Sequence, residues 1–417
     1  MKSFLQYIKL FTAGKIILMV TILGSIAGTV SAQTFYFDGN RKKQTLDFIL
    51  IKNLIIIPLS INGKGPFNFI LDTGVNPLIV TDLSIIDSLQ LRGLKTTQLS
   101  GLGSGESIEA YLTNQLSVRV GNATMEQMPT AILKKDLFNL SGYVGMRIHG
   151  LIGFHFFNSF LVQIKYPVKR LVFALPGTKL KVKGDKVPIQ LINNKPYMQL
   201  KVSQDGSSTR EVTMIVDIGA SHALSLEALD GKPFPLPPEN ITANLGVGFA
   251  GLINGHIGRL KTVQIGSETF KDVLCSFPDF QQAGAKTGVS IRNGNVGNNL
   301  LKHFDLTIDY ANQAMYFKPN SYKEMPFEHD MSGMEVYLRE GTPDLYFVGR
   351  IEKGSPADEA GIHTDDQLLS LNFKNITEYN LDDIDLLLKG GDGRRVIMQF
   401  ARKDERLYKI LILKRRI

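Results

Sequence analysis

The chain has 417 residues, length for two or three domains, and its 43% hydrophobic and 21% charged residues describe an ordinary globular protein with a core to bury. Its net charge of +8 includes Lys2, Lys9 and Lys15 of an acid-free N-terminal stretch; the 44 basic and 39 acidic residues that remain are too nearly balanced and too scattered for nucleic-acid binding. Cys275 is the only cysteine, which excludes a disulfide framework, and its setting in VLCSF marks a small core residue. At the N-terminus, a lysine-bearing start, an apolar run from Ile16 to Val30 and Val30-Ser31-Ala32 before Gln33 read as a secretory signal over residues 1–32. Export to a periplasmic or extracellular compartment is therefore expected; the other reading is an uncleaved anchor, although the run is short for a membrane span. The following QTFYFDGNRKKQ reads either as a propeptide or, from its aromatic character, as a first β-strand.

Beyond residue 45 the chain reads as short alternating or apolar strands between turn signals, with little sustained helical period. LIIIPLSI and FNFILD flank Asn62-Gly63-Lys64-Gly65-Pro66 as a hairpin, and the second strand runs into Asp72-Thr73-Gly74. A carboxylate in so apolar a stretch needs a partner, because buried and unpaired it is costly or takes up a proton. An internal repeat supplies one. MIVDIGASHALSL carries Asp217-Ile218-Gly219 at 145 residues after Asp72; Gly246 of GVGFAG follows Gly101 of GLGSG, and Gly266 follows Gly121, at the same offset. Gly297 and Tyr310 follow Gly153 and Tyr166 at 144. Four features in one order at a nearly constant offset mean two copies of one β-rich lobe. Helices are expected to be few and short, among them GFHFFNSF from Gly153 and GNNLLKHF from Gly297. The polar GTKLKVKGDKVP reads as the interlobe connection and PFPLPP, from Pro233, as a loop inside the second copy.

Asp72-Thr73-Gly74 after an apolar strand, the mid-lobe glycine hairpin and Leu151-Ile152-Gly153 resemble the retropepsin-like aspartyl proteases in their double-lobed, single-chain form. The resemblance implies a mainly β, bilobal aspartyl protease fold, with an N-terminal lobe over 33–185 and a C-terminal lobe over 186–322. Each lobe would give one catalytic aspartate, Asp72 or Asp217, to a shared cleft. Thr73, Gly74, Ile218 and Gly219 would support the active-site loops, and Gly101, Gly103, Gly105, Gly246 and Gly248 would lie in flaps closing over a peptide or protein substrate. Neither metal nor cofactor is implied, and the two lobes in one chain make an obligate homodimer unnecessary. The chemistry agrees: two carboxylates in close range cannot both ionise, so the pair holds one proton. The ionised member can polarise a water while the protonated one hydrogen-bonds the peptide carbonyl.

Three positions depart from the family pattern. Ile218 stands where Thr or Ser is usual, so that only Thr73 can reach across to the opposite loop; Val75 replaces a small residue and is expected to crowd its loop; Asn295 precedes Val296-Gly297 where an apolar residue is expected. Competing chemistries find less support. GVGFAG matches the dinucleotide fingerprint but neither follows a clear strand nor opens a helix. His155, His222 and His256 show no zinc-ligand spacing. Ser104 lacks the nucleophile-elbow context, and Ser221 has only adjacent His222, which points elsewhere on a strand.

From about residue 323 the repeat ends, and FVGRIEKGSPADEAGIHTDDQLLSLN resembles the core of a PDZ domain, an α+β module over 323–417. It shows a strand, Ser355-Pro356-Ala357 opening a short helix, Ala360-Gly361-Ile362 and a second strand, with Asp365 in place of the glycine usual before Asp366. The resemblance implies a strand edge that accepts a peptide and a glycine loop that receives its terminal carboxylate. Gly333, Met334, Glu335 and Val336 would serve that site, with NLDDIDLLLK from Asn380 as the flanking helix. In that helix Leu381, Ile384 and Leu388 fall at core spacing, and Asp382, Asp383 and Asp385 read as a solvated face. The whole reads as an exported aspartic endopeptidase with a peptide-binding PDZ domain. The second reading is a scaffold whose active site has decayed at Ile218.

Overall fold

The computed structural model describes residues 34–417 except 90, 100–106, 137, 249–250, 288–291, 340–341 and 343–344. In the strands Leu54–Ile61 and Lys64–Leu71, Ile55, Ile57, Leu59, Ile61, Phe69 and Leu71 enter the main core. The chain reverses between them because Asn62 and Gly63 both take positive φ, 48° and 75°, the two-residue turn whose twist matches paired strands. Seven further strands complete a nine-stranded first-lobe sheet.

The second lobe repeats the plan. Lys64–Leu71 lies parallel to Gly150–Ile152, which is antiparallel to Leu78–Val80, which is parallel to Ala123–Leu133. Arg210–Asp217, Gly294–Gly297, Leu224–Leu226 and Glu268–Pro278 hold the same relations in the same order. The short helices Phe154–Ser159 and Asn298–Leu301 follow Gly153 and Gly297. After the strand Lys232–Pro233 the chain runs without regular structure to Asn240, a loop inside the second lobe.

A six-stranded sheet joins the lobes in the order Asp185–Pro188, Ala314–Pro319, Phe304–Asp309, Leu161–Lys165, Arg170–Ala174, Lys43–Asp47. At its centre Gln163 faces Thr307, its own counterpart in the repeat, and donates to the Thr307 hydroxyl at 3.3 Å. The approximate twofold axis passes through this pair. Because Asp185–Pro188 is one continuous strand of this sheet, the expected lobe boundary between residues 185 and 186 cuts through it.

Tyr36–Phe37 pairs with Ala123 and Thr124. Phe35 and Phe37 are buried, and Phe37 meets Phe160 and Phe173 at 5.2 and 5.6 Å between ring centres. Burial of each such ring is worth roughly 1.5–3 kcal/mol, which favours the strand reading of this segment over a removable propeptide.

The C-terminal domain has its own core, including Met334, Val336, Val348, Leu368, Ile384 and Phe400. Its sheet runs Met334–Leu338, Tyr346–Ile351, Gln367–Leu371, Arg395–Arg402, Glu405–Ile412. Ser355 caps the helix Pro356–Glu359, and Asn380 with Asp383 forms a capping box on Leu381–Leu388. Asp365 takes φ +66°, a left-handed conformation that aspartate tolerates, so the turn survives without its usual glycine. Beside it, buried Asp366 holds Arg402 by two bonds of 2.7 Å.

Candidate active site

Asp72 and Asp217 leave the ends of equivalent strands, where the parallel neighbours Gly150–Ile152 and Gly294–Gly297 hold the backbone. The Gly74 amide donates to Asp72 Oδ1 at 2.5 Å, and the Gly219 amide to Asp217 Oδ1 at 3.1 Å. Each glycine also lies against the opposite carboxyl. A Cβ on Gly219 would overlap the Asp72 carboxyl, and one on Gly74 would sit 3.4 Å from Asp217 Oδ2. At Gly219 no side chain can be accommodated, and the close approach of the loops lets the charge and hydrogen bonding of Asp217 act on Asp72. Burial, then the charge of Asp217 and the bond to it, hold Asp72 well above the usual carboxylate range, against the pull of the Gly74 amide and Lys195.

The Thr73 hydroxyl ties the backbones of the two loops. Its hydroxyl donates to the Val216 carbonyl at 2.6 Å and accepts from the Ile218 amide at 3.1 Å. Ile218 is 0% exposed and packs into the main core. Val75 does not crowd its loop: its side chain enters a small apolar cluster with Ile79, Ile108 and Leu133, and its carbonyl accepts from Phe154. Asn295, polar where an apolar residue was expected, pairs with His222 Nε2 at 2.5 Å. That bond engages His222 away from Ser221, whose hydroxyl instead shares a 3.3 Å bond with Tyr143.

Tyr310 and Lys52 take up settings that the motifs do not announce. Burial, then the charges of Asp72 and Asp217, push the Tyr310 phenol up, and its hydroxyl has no partner among the described residues. Its repeat counterpart Tyr166 donates to Asn298 Oδ1 at 2.5 Å. Lys52, in the turn before Leu54–Ile61, meets the helix Leu381–Leu388 of the C-terminal domain. Its amide donates to Asp382 Oδ1 at 2.8 Å, and its amine lies 3.4 Å from Asp385 Oδ2. Asp382 and Asp385 are therefore half-buried against the first lobe; of the three aspartates only Asp383 is exposed.

The dyad opens into a cavity of about 1780 Å³ lined by both lobes and by residues of the C-terminal domain such as Tyr337, Phe347 and Arg350. Gly246 and Gly248 lie on its wall in the strand Asn240–Gly248, where Gly246 takes φ +121° at a bulge. Gly101, Gly103 and Gly105 lie outside the described residues. Among the described residues no group of His, Cys, Asp or Glu is disposed to hold a metal ion.

The loop expected to take a ligand carboxylate carries an internal one. Gly333 donates its amide to Asp330 Oδ2 at 2.5 Å, the Ser332 hydroxyl donates to Asp330 Oδ1 at 2.7 Å, and the Met334 amide donates to Ser332 Oγ at 3.1 Å. Burial pushes the Asp330 carboxyl up to about 6 against these bonds. Val336 and Met334 are core residues, and Glu335 accepts from Arg350 and Tyr337 at 2.9 and 2.6 Å. The four positions assigned to peptide binding thus have partners within the chain.

Residues 57–156, which include Asp72, Thr73 and Gly74, match the family model described as aspartyl protease, and residues 347–402 match that of the PDZ domain. The crystal structure of an aspartic proteinase from Irpex lacteus aligns at a TM-score of 0.41 and 13% identity, over 68% of this chain and 99% of that one. The two family matches and the sheets above define an aspartic-protease-like fold joined to a PDZ domain.

Proposed function

We propose that the protein is an exported aspartic endopeptidase that hydrolyses peptide bonds with a water activated between Asp72 and Asp217. The observation that carries this reading is the crossing of the two loops, each glycine against the other lobe's carboxyl, which leaves room for the two acids to share one proton. Burial and the neighbouring charge raise Asp72, which favours it as the acid of the pair and Asp217 as the partner that polarises the water. Attack on the carbonyl carbon passes the water proton to Asp217, while the Asp72 proton stabilises the developing oxyanion; return of a proton to the nitrogen releases the two peptides. The export part of the reading rests on the leader over residues 1–32, and a mature N-terminus at Gln33 would test it.

The experiment is digestion of a broad peptide mixture across acidic to neutral pH by the wild type, Asp72→Asn and Asp217→Asn. Cleavage by the wild type should fall on the order of 10²–10⁴-fold in either variant. It should also fade as pH rises through the elevated value of Asp72, because the acid is then lost. A folded wild type that cleaves nothing at any pH would instead favour the scaffold reading, for which buried Ile218 is the motivating residue.

A further inference from the structure

We infer that the PDZ domain acts on its own chain, holding Lys52 and Tyr143 as positioning residues for the catalytic loop around Asp217; the catalytic part of this inference rests on the peptidase reading above. Lys52 is a buried amine that the hydrolytic mechanism does not use, its side chain 5% exposed. A buried cation is stable only when paired, and removal of one partner strands the other. The carboxylates beside Lys52 belong to the PDZ helix Leu381–Leu388, Asp382 on its amide and Asp385 on its amine. The amine also lies 4.4 Å from the ring centre of Tyr143 and 6.0 Å from that of Tyr337, one ring from each domain. Lys52 is therefore at home in this position only while the PDZ domain is docked.

From this junction two ties reach the second lobe. Asn53, the next residue, donates from Nδ2 to the Ser221 carbonyl at 2.9 Å, and Tyr143 shares a 3.3 Å bond with the Ser221 hydroxyl. Ser221 is four residues beyond Asp217, on the loop that sets the position of that carboxyl. The path thus runs from the PDZ helix through Lys52 and Tyr143 to the loop that presents Asp217.

The PDZ side is built to hold the lobe rather than a free peptide end. The strand Met334–Leu338 is the edge of its sheet, and the first-lobe helix Leu140–Val144 lies against it. The Tyr143 and Tyr337 rings are 6.2 Å apart, and Gly145, at the helix end, sits so close to Leu381 that a Cβ would come within 2.8 Å of its side chain. Asp330 already occupies the amide of Gly333. The elements that would form a peptide groove are therefore abutted by this chain's own first lobe where they border the cavity.

The test uses the full chain, with Tyr143→Phe, which removes one hydroxyl, and Asp385→Ala, which removes the carboxylate beside the Lys52 amine from the PDZ side. Peptide hydrolysis and amide hydrogen exchange are measured on the same samples. Loss of one positioning bond should lower kcat by about three- to tenfold with KM within about twofold. In both variants exchange should quicken at residues 218–222, while the PDZ core amides of Val348, Leu368 and Phe400 keep their wild-type rates. Unchanged exchange at 218–222 in either variant overturns the inference, as does a rise in KM at constant kcat, which would make Tyr143 a substrate contact. If the wild type cleaves no peptide, the peptidase reading fails on its own, and the exchange rates still decide the coupling.

Discussion

Thr73 carries on one hydroxyl a bridge that the repeat would divide between two residues. Thr73→Val keeps the shape but strands the Val216 carbonyl and the Ile218 amide, each at roughly 1–3 kcal/mol. Scanning calorimetry should show a midpoint lowered by several degrees, and peptide assay a reduced kcat. Ile218→Thr restores the second hydroxyl in a position that is now fully packed, so it should leave activity intact or raise it, with a small loss of stability from the hydroxyl in an apolar site. A large loss of activity in Ile218→Thr would show that the one-sided bridge is the arrangement the loops require. Asp72 makes a prediction about stability as well. Its folded value lies above the unfolded one, so the stability linked to its proton is complete below the ordinary carboxylate range and is lost as pH rises through the raised value. Asp72→Asn removes that dependence, and its thermal midpoint should gain on the wild type as pH is raised from acid toward neutral. Parallel midpoints across that range would contradict the raised value.

At the scale of elements, the two short helices after Gly153 and Gly297 occupy equivalent places but do different work. Asn298 opens the second, accepting from the Tyr166 hydroxyl and donating to the Asn53 carbonyl, whereas Phe154 opens the first and leaves the Tyr310 hydroxyl without a partner among the described residues. Asn298→Leu should cost roughly 1–3 kcal/mol for each group it strands. Tyr166→Phe in the same background should recover part of that loss, and a double-mutant cycle from urea unfolding measures the coupling. Additive effects would mean that the short bond between them contributes nothing. The repeat itself is legible in the sequence, because Asp-x-Gly, the glycine hairpin and the Gly-helix segment recur in order, and strand periods survive duplication. The exchange of Phe154 for Asn298 is visible in the same alignment, but its meaning depends on which side chain lies above it, which no linear pattern carries. The same holds for Asn295, a departure that is explained only once His222 lies 2.5 Å from it.

Across the whole molecule, the shared six-stranded sheet makes the two lobes one body, and the PDZ domain completes the cavity wall beside the dyad. The order of lobes and PDZ domain was open to reading from composition and motif, whereas the junction between them was not. A helical period separates an apolar face from a polar one, but it does not separate a polar face in solvent from one that meets a buried lysine, and so Asp382 and Asp385 read as solvated. Lys52 and Asn53 look in sequence like any turn between two strands. The measurement that bears most directly on the dyad is the titration of aspartate carboxyl carbons by ¹³C NMR in the wild type and in Asp217→Asn. Asp72 should titrate well above the ordinary carboxylate range in the wild type and move part of the way down in the variant, since the negative neighbour is gone while burial remains. An Asp72 that titrates in the ordinary range, or that is unmoved by Asp217→Asn, would contradict a shared proton and with it the proposed chemistry.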